Sequence, residues 1–447
     1  MIVARFRGFA DPYDVRPLGF ALNAEVVVPG SKSLTNRAVL VAAAATGVTR
    51  LRGVLASDDT DAMVEVVCSV GAAVVRDESV GTAIVTGIGG PPVGPATVDV
   101  RRSGTTARFV VPFLAAGHGE FVVDGHEQMR ARPMGDLYRA MGDLGVGTEA
   151  LGEVGALPVR IQARGIEGGL VRVEGSVSSQ FLSGLLLAAP LARWATVIHV
   201  AGELVSVPYV RLTVSVMRAF GALVDDGDLT RIVVEPTGYV SPGVFDIEPD
   251  ASAASYFFAA AVATQGCVRV PGLGTAAEQG DVRFADVLGD LGATVRRTDD
   301  ALEVCANGLL RGGTVDMRDC SDTAQTLAAI APLASGPISV TGIGFIRRKE
   351  TDRIAAVVAE LRRLGVMATE DVDGFTIMPG PTVPAVVETY DDHRMAMSFT
   401  VLGLVRPGVS IADPGCVAKT FPMFFDVVEG LRADHLYAYE KSGGLGG

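Results

Sequence analysis

The sequence predicts an α/β protein of two domains, each filled by three similar units. Three observations predict it. A chain of 447 residues exceeds what one hydrophobic core usually supports. An amphipathic segment closed by glycine recurs along it, and a second, almost wholly apolar helix recurs between the copies of the first.

The amphipathic type is read in AMVEVVCSVGAAVV, DLYRAMGDLGVGTEA, RLTVSVMRAFGALV, FADVLGDLGATVRR and RIAAVVAELRRLGVMAT, with FFDVVEGL a weaker sixth copy. Gly71, Gly145, Gly221, Gly292 and Gly365 stand 74, 76, 71 and 73 residues apart. Apolar residues at i, i+3, i+4 and i+7 before such a glycine predict a helix stopped by a left-handed cap and followed by a strand. The apolar type starts near Ser33, Gly104, Ser178, Ser252, Ser321 and Asp391. Helices rich in Ala, Leu and Val on every face are buried ones, and six divide naturally as three per domain. The Pro- and Gly-rich stretch from Ser241 to Asp250 is the expected boundary, with a second crossing at Val28, Pro29 and Gly30. This predicts a domain over 30–245 and another made of 1–29 with 246–447, leaving a cleft for a site.

Composition excludes several classes. Although 49% of the residues are hydrophobic, runs such as Leu185 to Ala192 and Tyr256 to Ala263 break well short of the ~18 needed to span a bilayer. Arg5, Arg7, Asp11 and Asp14 interrupt the start of the chain where a secretory signal needs an apolar segment, so a cytoplasmic protein is expected. Five cysteines, Cys68, Cys267, Cys305, Cys320 and Cys416, lie far apart without C-x-x-C spacing and are expected to be buried thiols, neither a disulfide frame nor a zinc site. A net charge of −13 argues against nucleic acid as partner. Of the 38 basic residues only Lys32, Lys349, Lys419 and Lys441 are lysines. A compact ammonium is informative in a chain that otherwise uses arginine, except at Lys441 in the Gly-rich tail.

The apolar helices begin with unusual residues: Lys32, Ser33 and Arg37; Gly104, Thr105 and Arg108; Ser178, Ser179 and Gln180; Ser321 and Asp322; Asp392, His393 and Arg394. Capping accounts for the serines and aspartates. Cations there call for an anionic ligand, because a helix N-terminus is already positive. A Walker A reading of Gly30 to Ser33 fails, since no glycine immediately precedes Lys32. No G-x-S-x-G occurs, and five scattered histidines offer no metal-ligand spacing.

In PGSKSLTNRA, GTTARF, RARPMG, GSVSSQFLSGLLLAAPLA, DASAASYFFAAA, RRKETDRIA, TYDDHRMAM and DPGCVAKTFP, the chain resembles the enolpyruvyl transferase family, and specifically its 5-enolpyruvylshikimate-3-phosphate synthases, nearly end to end. The resemblance implies an inside-out α/β barrel of βαβαββ-like units in each domain. It also implies transfer of the enolpyruvyl group from phosphoenolpyruvate to the 5-hydroxyl of shikimate 3-phosphate by a monomer, without metal or cofactor. Lys32, Gly104, Arg132, Gln180, Arg353, Arg394 and Lys419 would hold phosphoenolpyruvate. Ser178, Ser179, Gln180 and Ser206 would cradle the acceptor's phosphate, and Ser33 and Arg37 its carboxylate. Asp322 and Lys349 would flank the acceptor hydroxyl, and Glu350 would handle the methylene proton. Lys32 is also expected among the catalytic groups. Val207, Arg211 and Phe345 depart from the family pattern near the acceptor half, and Arg101, Arg102, Ser103 and Phe109 depart around Gly104. The first three keep open another phosphorylated alcohol, such as uridine monophosphate, as acceptor.

Overall fold

The computed structural model describes residues 8–176 and 178–432; Lys441 and His435 lie outside them. The chain separates into two compact units, Pro29–Glu248 with Glu278–Gly280, and the remainder up to Val28, over Pro249–Ala277 and from Asp281 onward.

Unit 1 contains α1 (Lys32–Ala44), α2 (Asp58–Ser69), α3 (Gly104–Ala115), α4 (Glu127–Arg130), α5 (Gly135–Asp143), α6 (Ser179–Ala188) and α7 (Val207–Ala219). The apolar sequences form α1, α3 and α6, and every residue of α3 is buried. Phe109, Phe113 and Phe121 are among its fully buried rings, each stabilising the fold by roughly 1.5–3 kcal/mol. Three four-stranded sheets surround these helices. In the second, Ala96–Asp99 runs parallel to His118–Asp124, which pairs antiparallel with Val159–Arg164, itself antiparallel to Thr148–Ala150. The first sheet is completed from far along the chain, where Val244–Asp246 pairs parallel with Val48–Arg52. Alternation along Val48–Arg52 sends Thr49 and Leu51 inward and Val48, Arg50 and Arg52 outward. The amphipathic α2, α5 and α7 stop before Gly71, Gly145 and Gly221, whose φ values of 105°, 83° and 84° are those of the expected left-handed caps.

Unit 2 contains α8 (Ala251–Ala263), α9 (Arg283–Asp290), α10 (Ala324–Ile330), α11 (Arg353–Arg363), α12 (His393–Gly403) and a helix over 424–432. Gly292 and Gly365, with φ 114° and 80°, stop α9 and α11. In the weaker sixth copy Gly430 stands inside the helix and does not end it. Two sheets have four strands and the third has three. Asn23–Glu25 completes one by pairing parallel with Cys267–Pro271, and Tyr13–Asp14 pairs antiparallel with Val409–Ile411 in the three-stranded sheet. The buried α8, α10 and α12 each place one hydroxyl at the centre, where Ser255 meets Thr326 at 3.2 Å and Thr326 meets Ser398 at 3.4 Å. Pairing these groups with each other avoids the cost of burying them unsatisfied. It also sets the axial register of three helices whose first turns carry the chemistry.

The cysteine expectation needs correcting. Cys267 and Cys305 face each other across antiparallel strands and form a disulfide, and Cys68 is exposed; only Cys320 and Cys416 are buried thiols. The bridge depends on strand register, which a separation of 38 residues does not reveal. No helix among the described residues is long and apolar enough to cross a membrane.

Candidate active site

Each unit gathers polar groups where its buried helices begin. In unit 1 Ser31 caps α1 by accepting from the Leu34 N–H at 3.4 Å, which leaves Lys32 as the first helical residue. Its Nζ lies 3.4 Å from Asp59 in the first turn of α2. At the start of α3 the guanidinium groups of Arg108 and Arg132 both close on Gly104. A Cβ at that position would fall 2.5 Å from Arg108 Nη1 and 2.4 Å from Arg132 Nη1. Glycine is required there by space, not by backbone conformation, so that two cations can share a helix N-terminus.

The next helix is brought in by a packing detail. Pro112 inside α3 has no N–H to give the Arg108 carbonyl, and a Cβ on Gly184 would lie 2.1 Å from that carbonyl oxygen. Gly184 thus lets α6 run close against α3, and one turn earlier Gln180 Nε2 donates to Thr105 Oγ1 at 3.4 Å. Ser178 caps α6, Ser179 is its first residue, and Ser206 precedes α7 in the left-handed conformation. Ser33 is half-buried beside Lys32. Arg37 is turned inward: only 2% exposed, it donates to Thr213 Oγ1, the Ser33 carbonyl and the Tyr209 carbonyl. Its Cζ lies 4.8 Å from the centre of the Phe109 ring, and burial lowers its pKa to about 10.

Unit 2 builds an alternating mesh of charges. Arg353, the first residue of α11, donates Nε to Asp392 at 2.7 Å, Nη1 to Asp322 at 3.0 Å and Nη2 to Glu350 at 2.7 Å. Asp322 also accepts from Arg394 Nη2 at 2.8 Å and lies 3.7 Å from Lys349 Nζ. Glu350 lies 3.4 Å from Lys419 Nζ. Burial works to lower the Arg353 pKa, but the charges of Asp392, Glu350 and Asp322 together outweigh it, and the pKa rises. The neighbouring His393, 1% exposed, is held well below its ordinary pKa by burial and then by Arg394, so it is neutral at pH 7.

Asp281 adds a carboxylate that accepts from the Ser252 hydroxyl at the start of α8. Burial and then the charge of Asp322 raise its pKa to about 6.

Among the expected residues, Asp322, Lys349, Glu350, Arg353, Arg394 and Lys419 come together in unit 2. In unit 1 Gly104 and Arg132 form one group, with Gln180 beside Thr105 on the same helix start. Arg37 is a brace under α1. Sequence reading assigned no role to Arg108, Asp59, Asp281 or Asp392. Arg108 carried a signal, a cation at a helix start. The three aspartates did not, since acids in first turns and caps are ordinary. Of the departures, Val207 opens α7, Arg211 is exposed on it, and the Phe345 ring centre lies 6.0 Å from Lys349 Nζ.

Residues 19–428 match the family described as EPSP synthase (3-phosphoshikimate 1-carboxyvinyltransferase). A 3-phosphoshikimate 1-carboxyvinyltransferase of Nostoc punctiforme is 43% identical over 417 residues, covering 93% of this chain and 98% of that protein. One of Herminiimonas arsenicoxydans is 42% identical over 439 residues, covering 95% and 98%. The solved EPSP synthase of Acinetobacter baumannii is similar with a TM-score of 0.79 at 25% identity, over 94% of this chain and 98% of that one. The enolpyruvyl transferase NikO of Streptomyces tendae, at 20% identity and a TM-score of 0.75 over 94% and 97%, shares the fold. Matched by the family over residues 19–428 and by relatives 42–43% identical over more than nine-tenths of its length, this chain belongs to the EPSP synthase family.

Proposed function

We infer that the chain carries out its family's reaction. It transfers the enolpyruvyl group of phosphoenolpyruvate to the 5-hydroxyl of shikimate 3-phosphate and releases phosphate, a step towards chorismate and the aromatic amino acids. The observation that carries this reading is the arrangement around Arg353. Asp322 and Glu350 bind the same guanidinium, and each has its own lysine, Lys349 at 3.7 Å and Lys419 at 3.4 Å. Two carboxylates, each beside a lysine ammonium, suit a reaction that moves two protons.

Glu350 delivers a proton to the methylene carbon of phosphoenolpyruvate, and positive charge develops at the adjacent carbon. The acceptor oxygen attacks there as Asp322 takes its proton, with Lys349 steadying the oxygen. Glu350 takes a proton back from the new methyl group, which restores the double bond as the carbon–oxygen bond to phosphate breaks, and the proton held by Asp322 leaves with the phosphate. Lys32, Arg108, Arg132, Arg394 and Lys419 hold the phosphate and carboxylate of phosphoenolpyruvate, with Gln180 and the Gly104 turn. Ser178, Ser179 and Ser206 receive the acceptor's phosphate and Ser33 its carboxylate, while Arg37 keeps α1 in place. The chain works as a monomer in the cytoplasm.

Phosphate release from phosphoenolpyruvate, with shikimate 3-phosphate or uridine monophosphate offered in parallel and each product weighed by mass spectrometry, tests the reading. Turnover with shikimate 3-phosphate is expected. Turnover with the nucleotide alone would refute the acceptor and make Val207, Arg211 and Phe345 its determinants.

A further inference from the structure

Lys349 and Glu350 stand on a short irregular loop between a 3-10 turn, Gly344–Arg348, and the Asp352 cap of α11. Irregular backbone does not fix a side chain to the tolerance that proton transfer demands, so the loop needs an outside support. Arg347 supplies one. Its Nη1 donates to both carboxylate oxygens of Asp352, at 3.0 and 2.9 Å. Its Nε donates to the Val372 carbonyl at 3.2 Å and its Nη2 to the Asp371 carbonyl.

Asp371 and Val372 belong to a hairpin tip that also binds the beginning of the same turn. There the Asp373 carboxylate accepts from the Gly342 and Gly344 N–H groups at 2.8 Å each. The tip therefore grips the 3-10 turn at both ends, and Arg347 joins that grip to the helix cap. Asp352 in turn accepts from the Ala355 N–H at 3.0 Å, which sets the first turn of α11 and hence Arg353. One guanidinium closes a ring of six residues whose interior holds Lys349 and Glu350.

We propose that Arg347 is a positioning residue for the transfer: by clamping the hairpin tip to the α11 cap it holds Lys349 and Glu350 at the spacing from Asp322 and Lys419 that proton transfer requires. This role rests on the reaction inferred above. It predicts an effect on the rate of chemistry more than on binding, because Arg347 supports the loop from outside the charge mesh. Lysine keeps the charge but cannot make the forked set of bonds.

The experiment compares the wild-type chain with Arg347→Lys, Asp352→Asn and the double variant. Asparagine remains a good helix cap, so Asp352→Asn removes the ion pair with little harm to α11. Each single variant is expected to lower kcat by roughly 10–100-fold while KM for each substrate moves by less than about threefold. The double variant should be no worse than the poorer single one, since both break the same contact. Hydrogen–deuterium exchange reads the clamp without turnover: amides 349–351 should exchange faster in Arg347→Lys, with α8 and α12 unchanged. Unchanged kcat in both single variants, multiplying losses in the double one, or unchanged exchange over 349–351 would overturn the role. A wild-type chain inactive on shikimate 3-phosphate would instead refute the reaction, and the exchange result would still decide whether the clamp exists.

Discussion

In an Arg353→Gln variant three carboxylates lose the guanidinium they share. Their side chains are 0%, 9% and 13% exposed for Asp392, Glu350 and Asp322, and Arg353 itself is 2%. Breaking one buried ion pair by removing a partner costs about 3–5 kcal/mol. The loss here is not three times that. Asp322 keeps Arg394 at 2.8 Å, and Glu350 keeps Lys419 at 3.4 Å. Asp392 keeps the Arg394 N–H at 2.9 Å but loses the guanidinium at 2.7 Å. The completely buried Asp392 therefore carries most of the loss, and the expected destabilisation is about 3–5 kcal/mol in total. For a unit of this size that corresponds to a Tm lower by roughly 6–20 °C. Urea and thermal unfolding followed by circular dichroism at pH 7 provide the assay, with Arg353→Lys alongside. Lysine restores a charge without the fork, so its loss should be intermediate. A loss below about 1 kcal/mol in Arg353→Gln would show that the mesh is as solvated as a surface pair and refute its buried character.

Other outcomes follow from the same geometry. Glu350→Gln should reduce turnover by about 10²–10⁴-fold with both substrates still bound, as measured by rapid-quench kinetics and calorimetry. Gly104→Ala should raise KM for phosphoenolpyruvate at least about tenfold and leave Tm nearly unchanged, because the new Cβ meets the movable ends of Arg108 and Arg132. Asp281 binds its proton more tightly when folded, with a pKa raised to about 6 from the ordinary 3.8. Its contribution is therefore full below the unfolded value and is lost as pH rises through about 6. Asp281→Asn should remove that slope, so Tm differences between variant and wild type should shift in the variant's favour from pH 4 to pH 7.5; a constant difference would contradict it.

Periodicity in the chain was enough to specify the repeat, the buried helices and their starting points. Gly71, Gly145, Gly221, Gly292 and Gly365 all take positive φ, because a helix stop is decided within one turn. Motif order was enough for the family, and Lys32, Gly104, Asp322 and Arg394 sit at element starts that local sequence defines. Partnership was not legible. Asp322 and Arg353 come from one repeat and Asp392 from the next, and only packing of α10, α11 and α12 decides which carboxylate meets which cation. The inward turn of Arg37 onto Thr213, the Cys267–Cys305 bridge and the hold of Arg347 on a hairpin tip likewise depend on groups far apart in the chain. Local propensities act over a few residues, whereas a buried charge takes its partner from whatever the finished fold places beside it.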